Sequence, residues 1–298
     1  MERKKILNFG SLNLDYVYQV SHFVTPGETL AAKQMRMNPG GKGLNQSVAL
    51  AKAGAAVWHA GCVGKGGEWL KDFLQEQGVD VTYLKNVAEM QGNAMIQVNE
   101  QGENCILLYG DSNRVISETQ IADTLGQFEP GDFLVLQNEI NRLPEIIDQG
   151  YVRGMKIVLN PSPFEEGLRN LDYGKISWLL INEVEAQQIT GESEPEQIHA
   201  WFRAQIPTLQ VVLTLGEKGA YCFAGEETVY QPAYKVKAVD TTAAGDTFTG
   251  YFLEALSRNC ELAECMRRAA FASSISVSHP GAAESIPRKT EVDAMQKE

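Results

Sequence analysis

Short apolar runs alternate with segments of helical period along most of the chain. Five runs are almost continuously apolar, as in strands that are covered on both faces of a parallel sheet: residues 6–9, 133–137, 156–160, 178–182 and 211–215. Helices are predicted between and around them at 44–53, 68–77, 144–151, 183–190 and 196–205. This alternation predicts an α/β fold with a doubly wound, mostly parallel sheet and helices on both faces.

Four short segments break the alternation. Residues 94–99 and 105–109 flank a turn-like tetrapeptide and predict a hairpin, and residues 16–20 and 28–35 predict two more strands. They indicate a small β-sheet lid, built from about 15–37 and 91–111, on a single domain spanning 1–298. The last third is predicted to hold two short strands and two helices, at 220–223, 228–230, 245–258 and 262–277.

Composition narrows the class of protein. The 298 residues carry a formal net charge of −12 without any cluster of Lys or Arg, which argues against nucleic-acid binding. We find no apolar run long enough for a membrane span and no signal-peptide core, so we expect a cytoplasmic protein without a membrane partner. The five cysteines are scattered without a C-x-x-C pair, so we expect reduced thiols and no structural zinc.

The segment from Asp240 to Gly250 combines small residues with the start of an apolar helix. Small side chains let an anion approach the free amides and the positive end of the helix dipole. Asp246 would oppose a bound phosphate, but its charge makes sense if it accepts the proton of a hydroxyl that attacks that phosphate. The alternative is that Asp246 only caps the helix.

The segment Asn38-Pro39-Gly40-Gly41-Lys42-Gly43-Leu44-Asn45 also leads into a helix. Its glycines let the backbone approach a ligand closely, and Lys42 and Asn45 can donate to hydroxyls. The alternative is an ordinary glycine-rich turn with a solvated lysine. The chain contains neither a G-x-x-x-x-G-K-[ST] phosphate loop nor a G-x-G-x-x-G dinucleotide fingerprint after its first strand.

These two segments resemble the signature motifs of the ribokinase family, the phosphofructokinase-B-like carbohydrate and nucleoside kinases. Further matches lie in order along nearly the whole chain: Gly10 to Asp15, Pro26 to Thr29, Asn160-Pro161, Asn182 to Glu185, Thr214 to Gly216, and Gly281 to Ser285. The resemblance implies transfer of the ATP γ-phosphoryl group to a primary sugar hydroxyl, with D-ribose giving D-ribose 5-phosphate. Leu44 and the Asn38-Pro39 pair depart from the usual pattern, so deoxyribose, another pentose, a ketohexose or a nucleoside stay open as substrates.

The resemblance also implies roles for individual residues. Asp246 would be the base, with Gly245 and Ala244 lending amides to the phosphoryl group. The sugar would contact Asn13, Asp15, Gly41, Lys42, Asn45, Ala94 and Glu139. The nucleotide and Mg²⁺ would lie near Asn182, Glu185, Thr214, Gly216 and Gly245. A monovalent cation, K⁺, would be held at Asp240, Thr242, Ser276, His279, Gly281 and Ser285. Two lids would pair into a homodimer.

Two other classes of protein are weighed against a kinase. A sugar-sensing protein without turnover would be expected to lose the aspartate or the glycine of the anion hole, and the chain retains both Asp246 and Gly245. A nicotinamide-dependent oxidoreductase lacks support because the dinucleotide fingerprint is absent.

Overall fold

A computed structural model describes residues 4–295 and shows two separate sheets. The larger sheet contains strands β1 (Ile6–Phe9), β4 (Val57–Lys65), β5 (Asp80–Met90), β8 (Phe133–Gln137), β9 (Lys156–Asn160), β10 (Trp178–Asn182), β11 (Gln210–Thr214), β12 (Ala220–Ala224) and β13 (Glu227–Gln231). The smaller sheet contains β2 (Asn13–Gln19), β3 (Gln34–Gly40), β6 (Asn93–Val98) and β7 (Asn104–Tyr109).

Helices cover both faces of the larger sheet. They are α1 (Lys42–Ala53), α2 (Trp69–Glu76), α3 (Glu118–Leu125), α4 (Leu143–Val152), α5 (Glu183–Thr190), α6 (Pro195–Gln205), α7 (Ala244–Ser257), α8 (Leu262–Val277) and α9 (Lys289–Met295). Two buried apolar clusters separate the helices from the sheet, one with Leu50, Phe252 and Met266 and the other with Leu136, Ile147 and Phe202. The predicted α/β class is confirmed.

The strand order of the larger sheet places a crevice beside β1. The order is β13-β12-β11-β10-β9-β8-β1-β4-β5, and the strands from β11 to β5 are parallel. From β1 the chain winds outward through β4 and β5, and it later returns to β8 and winds outward on the other side. Ligands of open α/β sheets bind at such a switch point, outside the carboxyl ends of the strands. The segments after β1 and β8 therefore mark the expected site.

The smaller sheet has the order β3-β2-β6-β7 and presents two contrasting faces. Asp15 pairs with Ala94, and Ala94 pairs with Leu108, so these three side chains share one face. On the opposite face Met95 pairs with Leu107, and the two are 47% and 68% exposed, whereas Asp15 and Ala94 are 9% and 5% exposed. One face is buried against the molecule and the other is apolar and exposed.

The prediction of a strand at 28–35 is wrong. Strand β3 instead runs from Gln34 to Gly40 and pairs antiparallel with β2. Residues upstream form a turn, in which the Glu28 carboxylate accepts hydrogen bonds from the amide and hydroxyl of Thr25. Pro39 is tolerated in the strand because β3 lies at the edge of its sheet, where a missing amide costs little.

Helices α1 and α7 pack closely against each other. A Cβ atom at Gly250 would lie only 2.7 Å from a main-chain carbon of Ala49, so the absence of a side chain permits the approach. This contact brings the first turns of both helices together beside the crevice. In the described part of the chain, no helix has the length and apolarity to cross a membrane, and all five cysteines are free.

Candidate active site

Asp246 lies in the first turn of α7 and is 8% exposed. Both of its carboxylate oxygens accept hydrogen bonds from α1: the Asn45 side-chain amide donates to Oδ2 at 3.2 Å and the Gln46 amide donates to Oδ1 at 2.9 Å. The helix that follows the glycine-rich segment is therefore in direct contact with the helix that carries Asp246. The carboxylate is therefore oriented by two neutral donors.

The chain entering α7 is shaped to expose main-chain amides. Ala243 adopts the left-handed conformation with φ of 60°, and the helix begins at Ala244. The Ala244 amide donates to the Thr241 carbonyl at 3.2 Å, whereas the amides of Gly245 and Asp246 belong to the first helical turn, where the helix supplies no acceptor. Gly245 is exposed, so an anion can reach this end of the helix.

Glu139 lies just after β8, beside the switch point, and contacts the glycine-rich segment. It is 7% exposed, and its Oε2 accepts hydrogen bonds from the Lys42 amide at 3.0 Å and from the Ser11 hydroxyl. Gly41, which precedes α1, has a φ of +93° that other residues rarely adopt. Burial raises the pKa of Glu139, and the nearby Lys42 charge and the two hydrogen bonds offset part of that shift.

Asp15 stands among other negative charges. Burial, followed by the charges of Glu139, Glu284 and Asp246, raises its pKa to about 7. A carboxylate in this setting is costly unless donors or a cation approach it. A polyhydroxylated ligand would supply such donors.

The Lys42 ammonium interacts with several of these carboxylates. Burial alone would lower its pKa, but the charges of Asp246, Glu139 and Glu185 outweigh burial and raise it. The ammonium group is therefore charged at neutral pH.

Two cavities adjoin these residues. The first lies under the smaller sheet, between Asn13, Leu108, Asn113, Arg114 and Glu139. The second runs from Lys42 and Asp246 past Gly245 to Glu185 and Thr214. Of the residues predicted to bind the sugar, Asn13 and Glu139 line the first cavity and Lys42 and Asp246 line the second. The second cavity also combines the first turn of α7 with predicted nucleotide residues.

Asn182 and Glu185 form a capping box at the start of α5. The Asn182 side chain accepts from the Glu185 amide at 2.9 Å, and Glu185 Oε2 accepts from the Asn182 amide at 3.1 Å. The box fixes the Glu185 carboxylate at the second cavity. Gly216, by contrast, lies in an exposed 3-10 turn after β11 and does not line that cavity.

The residues predicted to hold a monovalent cation come together in part. The Asp240 carboxylate accepts from the amides of Thr242 at 2.9 Å and Gly281 at 3.0 Å, and the Ser276 and Ser285 hydroxyls are 2.8 Å apart. His279 is exposed, and its Nδ1 lies 2.9 Å from the Ile275 carbonyl within α8. Between residues 4 and 295 no three His, Cys, Asp or Glu side chains are grouped as a metal site.

Three contributors to the site were missed in the sequence. Gln46 contacts Asp246, Ser11 contacts Glu139, and Asn113 donates to Asn13 Oδ1 at 2.8 Å. Gln46 could have been found, since it follows Asn45 at the start of the same helix and both positions face α7. Asn113 carries no such signal, because it lies in a 3-10 turn far along the chain.

Comparison with known proteins places the chain in a family. Residues 3–289 match the model of the pfkB family of carbohydrate kinases. The chain is 35% identical to the ribokinase of Haemophilus influenzae, covering 97% of each protein, and 30% identical to the deoxyribokinase of Salmonella typhi, covering 93% and 94%. It superposes on the Arabidopsis thaliana ribokinase complexed with ribose and ATP with a TM-score of 0.87, at 28% identity over 100% of both chains.

The chain therefore belongs to the pfkB family of carbohydrate kinases. The resemblance to the ribokinase family and the prediction of an ATP-dependent carbohydrate kinase are confirmed.

Proposed function

We propose that the protein transfers the γ-phosphoryl group of ATP to the primary hydroxyl of D-ribose, giving D-ribose 5-phosphate. The observation that carries this proposal is the Asp246 carboxylate, held by Asn45 and Gln46 beside the second cavity at the first turn of α7. The ribokinase relatives favour ribose among the sugars that such a site could accept.

The sugar would bind under the smaller sheet. Asp15 and Glu139 would accept hydrogen bonds from its hydroxyls, with Asn13, Gly41 and Ala94 close by. Asn45 supports this placement, because its Oδ1 is buried without a hydrogen-bond partner among residues 4–295, and a sugar hydroxyl could donate to it. The smaller sheet would act as a lid that excludes water, which could otherwise accept the phosphoryl group.

Asp246 would take the proton of the attacking hydroxyl. The amides of Gly245 and Ala244 would face the charge that develops on the transferred group, which for Ala244 requires giving up its bond to Thr241. The Lys42 ammonium would balance the same charge from the side of α1. ATP would lie along the second cavity, with Thr214 and the exposed turn at Gly216 beyond the phosphates.

The residues present fit the expected metal ions. Mg²⁺ is commonly held by one or two carboxylates together with substrate phosphates, and Glu185 offers a buried carboxylate fixed by its capping box. When bound, Mg²⁺ would neutralise phosphate charge. K⁺ would take oxygen ligands near Asp240, whose carboxylate accepts hydrogen bonds from the amides of Thr242 and Gly281. Replacing K⁺ by a bulky organic cation at constant ionic strength should therefore lower the rate of phosphoryl transfer.

We further propose a homodimer formed through the lid. Met37, Met95 and Leu107 are 46%, 47% and 68% exposed on the outer face of the smaller sheet, next to its two free strand edges. Leu107→Lys should give a monomer by light scattering, while the wild-type chain should run as a dimer. The cytoplasmic location stays a prediction.

ADP release with Mg²⁺ and K⁺ tests the substrate. The panel contains ribose, deoxyribose, fructose, other pentoses and nucleosides, with Asp246→Asn as the matched control for nucleotide hydrolysis by contaminants. A clear preference for ribose supports the proposal. Preference for deoxyribose keeps the mechanism and changes the substrate, as the deoxyribokinase relative allows, and no turnover with any acceptor would favour a sugar-sensing protein.

A further inference from the structure

Asp246 is connected to a chain of buried amides that extends into the larger sheet. Gln46 Nε2 donates to Asp246 Oδ1 at 2.9 Å, Gln137 Nε2 donates to Gln46 Oε1 at 2.7 Å, and the same Gln137 Nε2 donates to Asn8 Oδ1 at 2.9 Å. Gln46, Gln137 and Asn8 are each completely buried. None of them lines either cavity, and Gln46 contacts two residues that line the second one, Asp246 and, at 3.5 Å, Asn160.

The orientation of each amide follows from its partners. An ionised carboxylate can only accept, so Gln46 must turn its NH₂ group toward Asp246 and its oxygen toward Gln137. At the other end, Asn8 Nδ2 donates to the Gly43 carbonyl at 2.7 Å, so Asn8 turns its oxygen toward Gln137. Both neighbours therefore present an oxygen to Gln137, and the Gln137 NH₂ group must face both of them.

The consequence is an unsatisfied acceptor. Gln137 Oε1 is buried with no hydrogen-bond partner among the residues from 4 to 295. It is directed toward Gly10, where a Cβ atom would lie 2.5 Å from it. Turning the Gln137 amide over would bring its oxygen against the oxygens of both Asn8 and Gln46, which is worse. Buried acceptors without a partner are rare and costly, so this one calls for a function.

We propose that Gln46 and Gln137 are positioning residues for the Asp246 base. Gln137 fixes the direction of the Gln46 amide, and Gln46 holds the carboxylate in the orientation that the attacking hydroxyl requires. A fixed carboxylate reacts faster than one that must first reorient, because proton transfer depends on geometry within hydrogen-bond reach. This inference rests on the proposed role of Asp246.

The decisive variant is Gln46→Met, which keeps the length of the side chain and removes its hydrogen bonds. We expect kcat with ribose to fall on the order of tenfold, because a hydrogen bond to a charged group is lost. The KM for ribose, and the affinity for a non-hydrolysable ATP analogue by calorimetry, should stay within about twofold. The matched control is Gln120→Met, since Gln120 is a buried glutamine whose amide donates to the Gly61 carbonyl at 2.8 Å, away from the site.

A double variant tests the order of the chain. If Gln137 acts through Gln46, then Gln137→Met lowers kcat in the wild-type background but not further in Gln46→Met. Gln46→Asn, whose amide is one methylene too short to reach both partners, provides the same test if Gln46→Met does not fold. Wild-type kcat in the folded Gln46 variant, or an equal loss in Gln120→Met, would overturn the inference.

Asp246→Asn, measured in parallel, separates this inference from the proposed function. If Asp246→Asn keeps its rate, the base assignment fails and the positioning role fails with it. If Asp246→Asn loses its rate while the Gln46 variant does not, only the positioning role is wrong.

Discussion

Asp246 and Asp15 are both buried carboxylates of the proposed site, and they differ in their hydrogen bonds and in the charges around them. Asp246 lies in the first turn of α7 and already accepts hydrogen bonds from two side-chain amides of α1. Asp15 lies on the smaller sheet, where burial and neighbouring carboxylates raise its pKa to about 7. The first is oriented by the protein itself, which suits the proposed role of accepting a proton. The second would gain matching donors from a bound sugar, which suits its proposed role in binding.

The largest effect is expected on kcat when Asp246 is replaced. Asp246→Asn keeps the shape of the side chain but cannot take a proton, so kcat should fall by about 10² to 10⁴. Calorimetry should show ribose and nucleotide binding nearly unchanged. A variant that retains most of the wild-type rate would remove Asp246 as the base.

Asp15→Ala tests the proposed role of Asp15 in binding the sugar. Losing a carboxylate that accepts sugar hydroxyls should raise the KM for ribose on the order of 100-fold, since each hydrogen bond to a charged group contributes about 1.5–3 kcal/mol. The KM for ATP should change little. Equal increases in both KM values would mean that Asp15 supports the fold rather than the sugar.

The pH dependence of ribose binding gives a second test of the role of Asp15. Because the pKa of Asp15 is about 7 in the free protein, the carboxylate is mostly protonated at pH 6 and mostly ionised at pH 8. Ribose affinity measured by calorimetry without nucleotide should therefore rise up to about tenfold between these values. The Asp15→Asn protein serves as the control, and its weaker affinity should be independent of pH over this range.

The smallest effect concerns stability. The folded pKa of Asp15, about 7, is above the value of 3.8 for an unperturbed aspartate, so the native state binds the proton more tightly. Stability is then lost as pH rises from about 4 to about 7, and the loss is complete above that range. Asp15→Asn should raise the melting temperature by a few degrees at pH 8 and by less at pH 6. A lower melting temperature at pH 8 would contradict this account.

The strands that can be predicted from the sequence are those whose residues are almost all buried. Strand β8, read as Phe133–Gln137, is buried at every position, and such runs are visible as apolar stretches. Strand β4 was missed because its buried stretch contains glycines and a histidine, His59, whose pKa burial lowers to about 4. Strand β5 was missed because it alternates with exposed charged residues at the edge of the sheet.

The site could be predicted only where one short segment carries the chemistry. The small residues before Asp246 and the glycines before Asn45 can be recognised in the sequence, because such residues at the start of a helix are typical of places where an anion or a ligand approaches the backbone. The contribution of Gln137 could not be predicted from the sequence, because its partners, Asn8 and Gln46, lie on a neighbouring strand and on a helix packed against the sheet. In the sequence, Gln137 is only the last residue of an apolar strand.

The smaller sheet also affects the order of folding. Its strands come from two distant segments, and Leu14 of β2 pairs with Asn93 of β6. Contacts between such distant residues form slowly, because a long loop must close before they stabilise anything. We expect hydrogen-exchange labelling during refolding to show the amides that bond β2 to β3 protected before those that bond β2 to β6. On a chain emerging from the ribosome, β2 could pair with β3 well before β6 is synthesised, so the face that carries Asp15 and Ala94 would be completed late in the life of the nascent chain.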